Sequence, residues 1–375
     1  MQHQPKLSPA DHVELDRLFA ELQASRQSFA GYPCNADFDY TPLFRFLAFP
    51  INNVGDPFMA SNYHLNTQRF EREVLETYGQ MVHAPPGKIW GYVTNGGTEG
   101  NLYGIYLARE VYPEGIVYYS EDTHYSVSKV LRMLHVRNVM IRSQPDGRMD
   151  LEDLRESLKI HRDVPPIVFA NIGTTMKGAV DDLAGINDIL RNLAIKEYYI
   201  HADAALSGMI LPFVDDPPPF DFRAGINSIS VSGHKMIGAP IPCGIVMARK
   251  ELVDRISRNI EYIGTMDTTV SGSRNGITPL FLWYQFRAFG REGFRARIDA
   301  CLRVAAYAVE QFQAMGVPAW RHPHSITVVF PRPPMDFIQH WQLAVQHESA
   351  HIITMPHVTT AMVDRICGDL RSKIS

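Results

Sequence analysis

One lysine and one aspartate, well separated in the chain, are the side chains best suited to chemistry. Lys235 stands in Ser228-Ile-Ser-Val-Ser-Gly-His-Lys-Met-Ile-Gly-Ala-Pro-Ile-Pro-Cys-Gly-Ile-Val246, where small and apolar residues run up to Ser232-Gly-His-Lys235 and a Gly/Pro-rich segment follows. That reads as a strand, a loop that holds the lysine, and a second strand. An amine in partly apolar surroundings has its pKa lowered and becomes a nucleophile toward an aldehyde. Upstream, Tyr198-Tyr-Ile-His-Ala-Asp-Ala-Ala-Leu-Ser-Gly208 reads as a strand delivering Asp203 at its C-terminal end. Ligands of open α/β sheets sit outside the carboxyl ends of strands, so a carboxylate there can face a cofactor. The pair suits pyridoxal 5′-phosphate (PLP), whose aldehyde a lysine holds as a Schiff base and whose ring nitrogen an acid keeps protonated. Taken singly, each has a plainer reading: Lys235 as a solvated charge, Asp203 as the cap of the next helix.

Two further stretches bear on the same ligand. Trp90-Gly-Tyr-Val-Thr-Asn-Gly-Gly-Thr-Glu-Gly-Asn101 reads as a short strand, a Gly-rich turn and a helix from Thr98. Unpaired amides at such a helix start bind phosphate, and the pattern matches neither the dinucleotide fingerprint nor the Walker motif. Tyr118-Tyr-Ser-Glu-Asp-Thr-His-Tyr-Ser-Val-Ser-Lys129 ends a strand with His124 at the following helix start, where an imidazole can stack on an aromatic cofactor and reach a substrate carboxylate. A structural histidine fits that position as well.

With these pieces assembled, the sequence resembles the group II PLP-dependent amino acid decarboxylases of fold type I, in the branch holding bacterial histidine decarboxylase and plant serine decarboxylase. The resemblance is carried by Gly31-Tyr-Pro, Asp37-Phe-Asp-Tyr, Ile51-Asn-Asn, Trp90 to Asn95, Gly97-Thr-Glu-Gly-Asn, Ser120 to Val127, Asn171-Ile-Gly-Thr-Thr, Gly178-Ala-Val-Asp-Asp, Val231-Ser-Gly-His-Lys and Gly272-Ser-Arg-Asn-Gly, nearly end to end. It implies Lys235, His124 and Asp203 as catalytic residues. Gly97, Thr98, Ser232 and His234 would hold the phosphate, Ala205 would lie under the ring, and Thr174 or Thr175 would meet the ring hydroxyl. It also implies a homodimer whose N-terminal segments line the site, which brings in Tyr32, Asn52, Asn53 and Asp56 as substrate-side candidates. Arg274 is expected to contact phosphate or carboxylate across that dimer. Many relatives carry a proton-donating tyrosine in a longer loop; Thr265 to Asn275 is short and lacks one, leaving Tyr262, Lys235 and His124 as candidates.

The elements that must position these groups are legible as a pattern. From Asn66 onward helices and strands alternate: strands at 90–93, 115–119, 139–143 and 166–172, with helices over 98–109, 125–134, 150–160 and 183–193, before the Asp203 and Lys235 strands. Alternation of this kind implies an α/β, mostly parallel sheet covered on both faces. Past Lys250 a helix and a polar loop lead to helices over 278–290 and on through Met315. Strands at 326–330 and 351–354, with helices between and after, then suggest a smaller α+β lobe. The expected division is 1–65 as a helix and extended segment packing across the dimer, 66–262 as the PLP-binding domain and 263–375 as the small domain. Ser8 is a plausible cap for an N-terminal helix bearing Leu15, Leu18, Phe19 and Leu22 at helical spacing.

Composition fits an enzyme of this kind. With 375 residues and a formal charge of −4, the chain can bury a large core and carries no basic stripe for nucleic acid. No apolar run spans a bilayer and Met1-Gln-His-Gln-Pro5 lacks a signal core, so the cytoplasm is expected. Cys34, Cys243, Cys301 and Cys367 are scattered, which argues against a disulfide framework or zinc; Cys243, beside the lysine loop, is the one to watch for reactivity. His340, His347 and His351 accompany a predicted helix with no carboxylate or thiolate at ligand spacing, so no metal is expected.

The substrate points two ways. His201 to Phe213 and Ser325 to Phe330 resemble histidine decarboxylases, whereas Gly55-Asp-Pro-Phe58, Pro279 to Tyr284, Trp341 to Ala344 and Met355 to Thr359 resemble serine decarboxylases. Asp56-Pro-Phe58 tips the reading toward L-serine giving ethanolamine, with L-histidine giving histamine as the alternative. A non-catalytic PLP-fold binding protein is the alternative of a different class.

Overall fold

The computed structural model describes residues 6–260 and 264–374, so Tyr262 and the Met1–Pro5 segment lie outside it. Helix α1 (Pro9–Arg26) starts at a capping box: Asp11 N donates to Ser8 Oγ and Ser8 N donates back to the Asp11 carboxylate, at 3.2 and 2.8 Å. Yet α1 buries no residue, and its predicted apolar stripe is exposed. After α2 (Gln68–Met81), strand and helix alternate as the sequence implies: β1 (Ile89–Thr94), α3 (Gly97–Val111), β2 (Ile116–Ser120), α4 (Ser126–Met133), β3 (Arg137–Ile141), α5 (Leu151–Ile160), β4 (Pro166–Asn171), α6 (Leu183–Asn192), β5 (Tyr199–Asp203), β6 (Ser228–Ser232) and β7 (Gly244–Arg249). Asp150 and Asp182 fix the starts of α5 and α6 by accepting first-turn amides.

These seven strands form one sheet in the order β1-β7-β6-β5-β4-β2-β3. Only β7 runs against its neighbours, because the chain doubles back after Lys235 and enters between β1 and β6. β4, β5 and β6 are fully buried, which their continuous apolar and small residues permit. The C-terminal ends of β1, β2, β4, β5 and β6 therefore share one edge, and Asp203 pairs with Ser230 just before the lysine turn. Topology alone brings Asp203 and Lys235 together.

Helix α7 (Lys250–Val253) and the short hairpin of β8 (Arg258–Ile260) and β9 (Thr265–Asp267) lead to α8 (Ile277–Ala314), which breaks at Gly290, where φ is 56°. The break matches the two helices expected there. Beyond it lie β10 (Thr327–Pro331), α9 (Met335–Trp341), β11 (Ala344–Gln346), β12 (Ser349–Ile353) and α10 (Thr360–Ile374), with an antiparallel sheet ordered β10-β12-β11. Phe312, Phe330, Trp341 and Ile352 centre this smaller core.

One expectation changes here. The helix predicted to carry His340 and His347 stops at Trp341, because Gln342 takes a left-handed conformation (φ 52°) and the chain turns into a hairpin. His340, His347 and His351 thus fall on a helix, a turn and a strand. The N-terminal segment is also stitched to its own chain: Ile353 N donates to Ala30 O at 2.8 Å, and Ala30 packs into the smaller core.

Candidate active site

The lysine turn is built by glycines that allow close approach. Gly233 N donates to Cys243 O at 2.7 Å, and a Cβ at Gly233 would lie 2.6 Å from Cys243 Sγ. Within the wide turn Gly233–Ile237, Lys235 leaves helical geometry (φ −85°, ψ −116°), and Gly238 at φ 93° returns the chain. Lys235 is half-buried and lines a cavity of about 400 Å³ between the two lobes. Burial pulls its pKa below the ordinary lysine value, while the Asp203 and Cys34 charges pull the other way. Neutral amine, the nucleophilic form, is correspondingly easier to reach.

Asp203 lines the same cavity. One carboxylate oxygen accepts from Asn101 Nδ2 at 2.8 Å and the other from Ala205 N at 3.2 Å. Its helix-capping alternative is not realised, since the chain continues into a 3₁₀ turn and Asp203 binds only the amide two residues on. Ala205 and Thr174 line the cavity as well, and Thr174 Oγ1 accepts from Ala179 N at 3.0 Å.

Gly97, Thr98, Ser232 and His234 gather at one end, around the start of α3. No side chain caps that helix: Gly96 precedes it at φ 139°, a conformation reserved for glycine, and Gly97 and Thr98 of its first turn line the cavity. His234 Nδ1 meets Cys243 O at 3.0 Å, and burial lowers its pKa. Free amides at a helix start are the kind of group that binds a phosphate.

His124 forms part of the cavity wall. Ser126 N and Ser126 Oγ both lie within hydrogen-bond reach of its Nδ1, at 3.3 and 2.8 Å, so Nδ1 accepts and Nε2 carries the proton. Burial lowers its pKa, opposed by Asp203 and reinforced by Lys235 and Lys129. Tyr32 lines the cavity from the N-terminal segment, and no arginine occurs among the described residues that line it.

Other expected residues lie elsewhere. Asn53 is fully buried, donating to Glu71 at 2.8 Å and accepting from Thr67 N. Asp56 accepts from Trp90 Nε1 at 2.8 Å. Neither lines this chain's cavity, because each side chain is committed to holding the N-terminal segment on α2 and β1. Asn52 likewise pairs with Ser273 and the Arg274 amide. Arg274, expected at a ligand, is buried in an ion pair with Glu71 and donates to Gly55 O at 3.0 Å. Cys243 is buried with its pKa pushed up by desolvation, so Cys34, which lines the cavity, is the cysteine with access to it. Asn101, His201 and Asn171 were missed, since a buried polar residue inside an apolar strand or helix shows its partners only in three dimensions.

Lys235, Asp203, the helix start at Gly97 and Thr98, and His124 line one cavity, and an amine, a carboxylate, free amides and an imidazole together fit PLP. The pyridoxal-dependent decarboxylase conserved domain matches residues 58–317, and the chain belongs to this family, as a group II PLP-dependent amino acid decarboxylase of fold type I. It is an enzyme, a carboxy-lyase using PLP, and the reading as a non-catalytic binding protein falls away. It is 50% identical to a histidine decarboxylase of Morganella morganii over 367 residues, 97% of each chain. It is equally similar, at 50% over 374 residues and 98% and 99% of the two chains, to a histidine decarboxylase of Klebsiella aerogenes. The structure of L-methionine decarboxylase from Streptomyces sp. 590, in complex with L-methionine methyl ester, superposes with a TM-score of 0.90 at 27% identity, covering 98% of this chain and 95% of that one.

Proposed function

We propose that the substrate is L-histidine and the product histamine. The observation carrying this reading is the 50% identity, over 97% of both chains, to a relative named histidine decarboxylase. The placement of the competing motifs supports it. The serine-like segments serve mostly as scaffold: Asp56 binds Trp90, while Leu280, Phe281, Trp341 and Met355 are core residues, and Ala344 alone reaches the cavity. The histidine-like segments supply Asp203, Ala205, Ser207 and Thr327 to its lining. Asp56, the residue that favours serine in the sequence, has its carboxylate engaged by the Trp90 indole.

Bound PLP supplies an electron sink for the pair left on the substrate Cα when the carboxylate departs as CO2. Lys235 would hold the cofactor through its aldehyde, and Asp203 would sit by the ring nitrogen and favour its protonated form. The α3 amides, with Thr98, Ser232 and His234, would hold the phosphate, and His124 would lie against the ring with its Nε2–H within reach of the substrate carboxylate. Among the described residues no arginine lines the cavity, so none of them clamps that carboxylate and stabilises the ground state. Lys235, His124 and Tyr262, the last lying outside the described residues, are the candidates for returning a proton to Cα.

The protein acts as a homodimer in this reading. Leu15, Leu18, Phe19 and Leu22 on α1 are 53, 49, 63 and 61% exposed, and Phe44, Leu47 and Phe49 are exposed nearby in sequence. Apolar surface on this scale calls for a partner, and a second copy supplies one. Light scattering should give twice the chain mass, and a monomer with full activity would contradict it. For the substrate, purified protein with PLP and an equimolar mixture of histidine, serine and methionine should yield histamine by mass spectrometry; ethanolamine as the main product would overturn the assignment.

A further inference from the structure

From Asp203, four buried side chains continue the hydrogen bonding, starting with Asn101 at the cavity wall and running back into the fold. Tyr199, His201 and Asp203 alternate along β5 and so point to one face of the sheet. Asn101 on α3 donates to Asp203 at 2.8 Å through Nδ2, and its Oδ1 lies 3.0 Å from His201 Nε2. His201 Nδ1 lies 2.7 Å from Ser228 Oγ, the residue opposite it on β6, and Tyr199 OH donates to the same oxygen at 2.9 Å. Gly104, one helical turn beyond Asn101, makes room for the ring: a Cβ there would lie 2.2 Å from His201 Nδ1.

The donor and acceptor roles follow from one end. Asp203 is the acceptor, so Asn101 must turn its NH2 toward it and its carbonyl toward His201. His201 Nε2 must then carry the proton, leaving Nδ1 to accept from Ser228, whose oxygen accepts from Tyr199. Every donor in the series points toward Asp203. Any other tautomer of His201 would put two acceptors face to face, or leave a buried donor without a partner.

We propose that His201 is a positioning residue for Asp203: by donating to Asn101 it fixes the amide orientation that aims the Asp203 carboxylate at the cofactor ring nitrogen. Tyr199 and Ser228 lock the histidine tautomer that makes this possible. A charged acceptor at the end of an aligned, fully buried series is stabilised more than by its nearest donor alone. The proposal holds for any amino acid substrate, but it rests on the reading of Asp203 as the ring-nitrogen partner.

Neutron diffraction of the PLP-loaded enzyme at neutral pH reads the relay directly. The expected map has a deuteron on His201 Nε2, none on Nδ1, and both amide deuterons of Asn101 on the Asp203 side; a deuteron on Nδ1 would overturn the proposal. Substitution gives a second reading. His201→Phe should lower kcat by about 10- to 100-fold, the effect of losing one hydrogen bond to a charged group, with KM little changed. The visible band of the bound cofactor should become pH-dependent between pH 6 and 8, and His201→Gln, which can still donate to Asn101, should restore much of the wild-type behaviour. Asp203→Ala, prepared in parallel, separates the two assignments. A changed band in Asp203→Ala but not in His201→Phe would defeat the relay alone. An unchanged band in both would defeat the reading of Asp203 as well.

Discussion

A Cβ on Gly97 would lie 2.7 Å from the Ser232 hydroxyl oxygen, so the start of α3 and the end of β6 meet at a distance only glycine permits. That contact sets the width of the proposed phosphate site. Gly97→Ala must displace Ser232 or the first turn of α3, and with it the free amides of that turn. The PLP dissociation constant, from fluorescence titration, should rise about tenfold or more, the equivalent of one lost charged hydrogen bond. An unchanged constant would remove the phosphate from this end of the cavity.

Arg274 and Glu71 make a prediction about stability instead of chemistry. Glu71 is fully buried and accepts from Val93 N and Asn53 Nδ2, both at 2.8 Å, besides its ion pair with Arg274. Removing one partner of a buried pair leaves an uncompensated charge and costs about 3–5 kcal/mol. Arg274→Met should therefore lower the melting temperature sharply, and adding Glu71→Gln should recover part of the loss. An equal or larger loss in the double variant would show that the pair does not act through charge.

His201 gives the pH dependence a sign. Burial pushes its pKa down to about 3 from the ordinary 6.5. The unfolded chain binds a proton at this site below pH 6.5 and the folded one does not, so stability falls as pH drops from 6.5 toward 3. Between pH 6.5 and 5 the contribution is about 2 kcal/mol, at ~1.4 kcal/mol per pH unit. Denaturant titrations should show that slope in the wild type and a shallower one in His201→Gln. Equal slopes would mean the imidazole is already charged in the fold.

Much of this was legible in the sequence, and what was not has a common cause. The alternation of β4, α6, β5 and β6 is visible as periodicity, and the rule that ligands gather at strand ends then brings Lys235, Asp203, His124 and Gly97 to one edge. The break of α8 at Gly290 shows as a glycine between two helical runs. Asn53, Asp56 and Arg274 look available in the sequence because polar residues in an irregular segment show no partners there; the structure binds them to Glu71, Trp90 and Gly55. The helix expected over His340 and His347 failed because the left-handed turn at Gln342 carries no glycine to announce it. Asn101 and His201 sit about a hundred positions apart in the chain, and nothing local marks them as partners.

The most direct test of the site is chemical. The PLP-loaded enzyme, reduced with borohydride to fix the cofactor on whichever amine holds it and then digested, should carry the added mass on the peptide containing Lys235 and on no other. Lys235→Ala should take up no label and show no visible absorbance from a covalently held cofactor. Label on a different lysine, or a Lys235→Ala protein that keeps both absorbance and amine release, would contradict the assignment of this cavity as the active site.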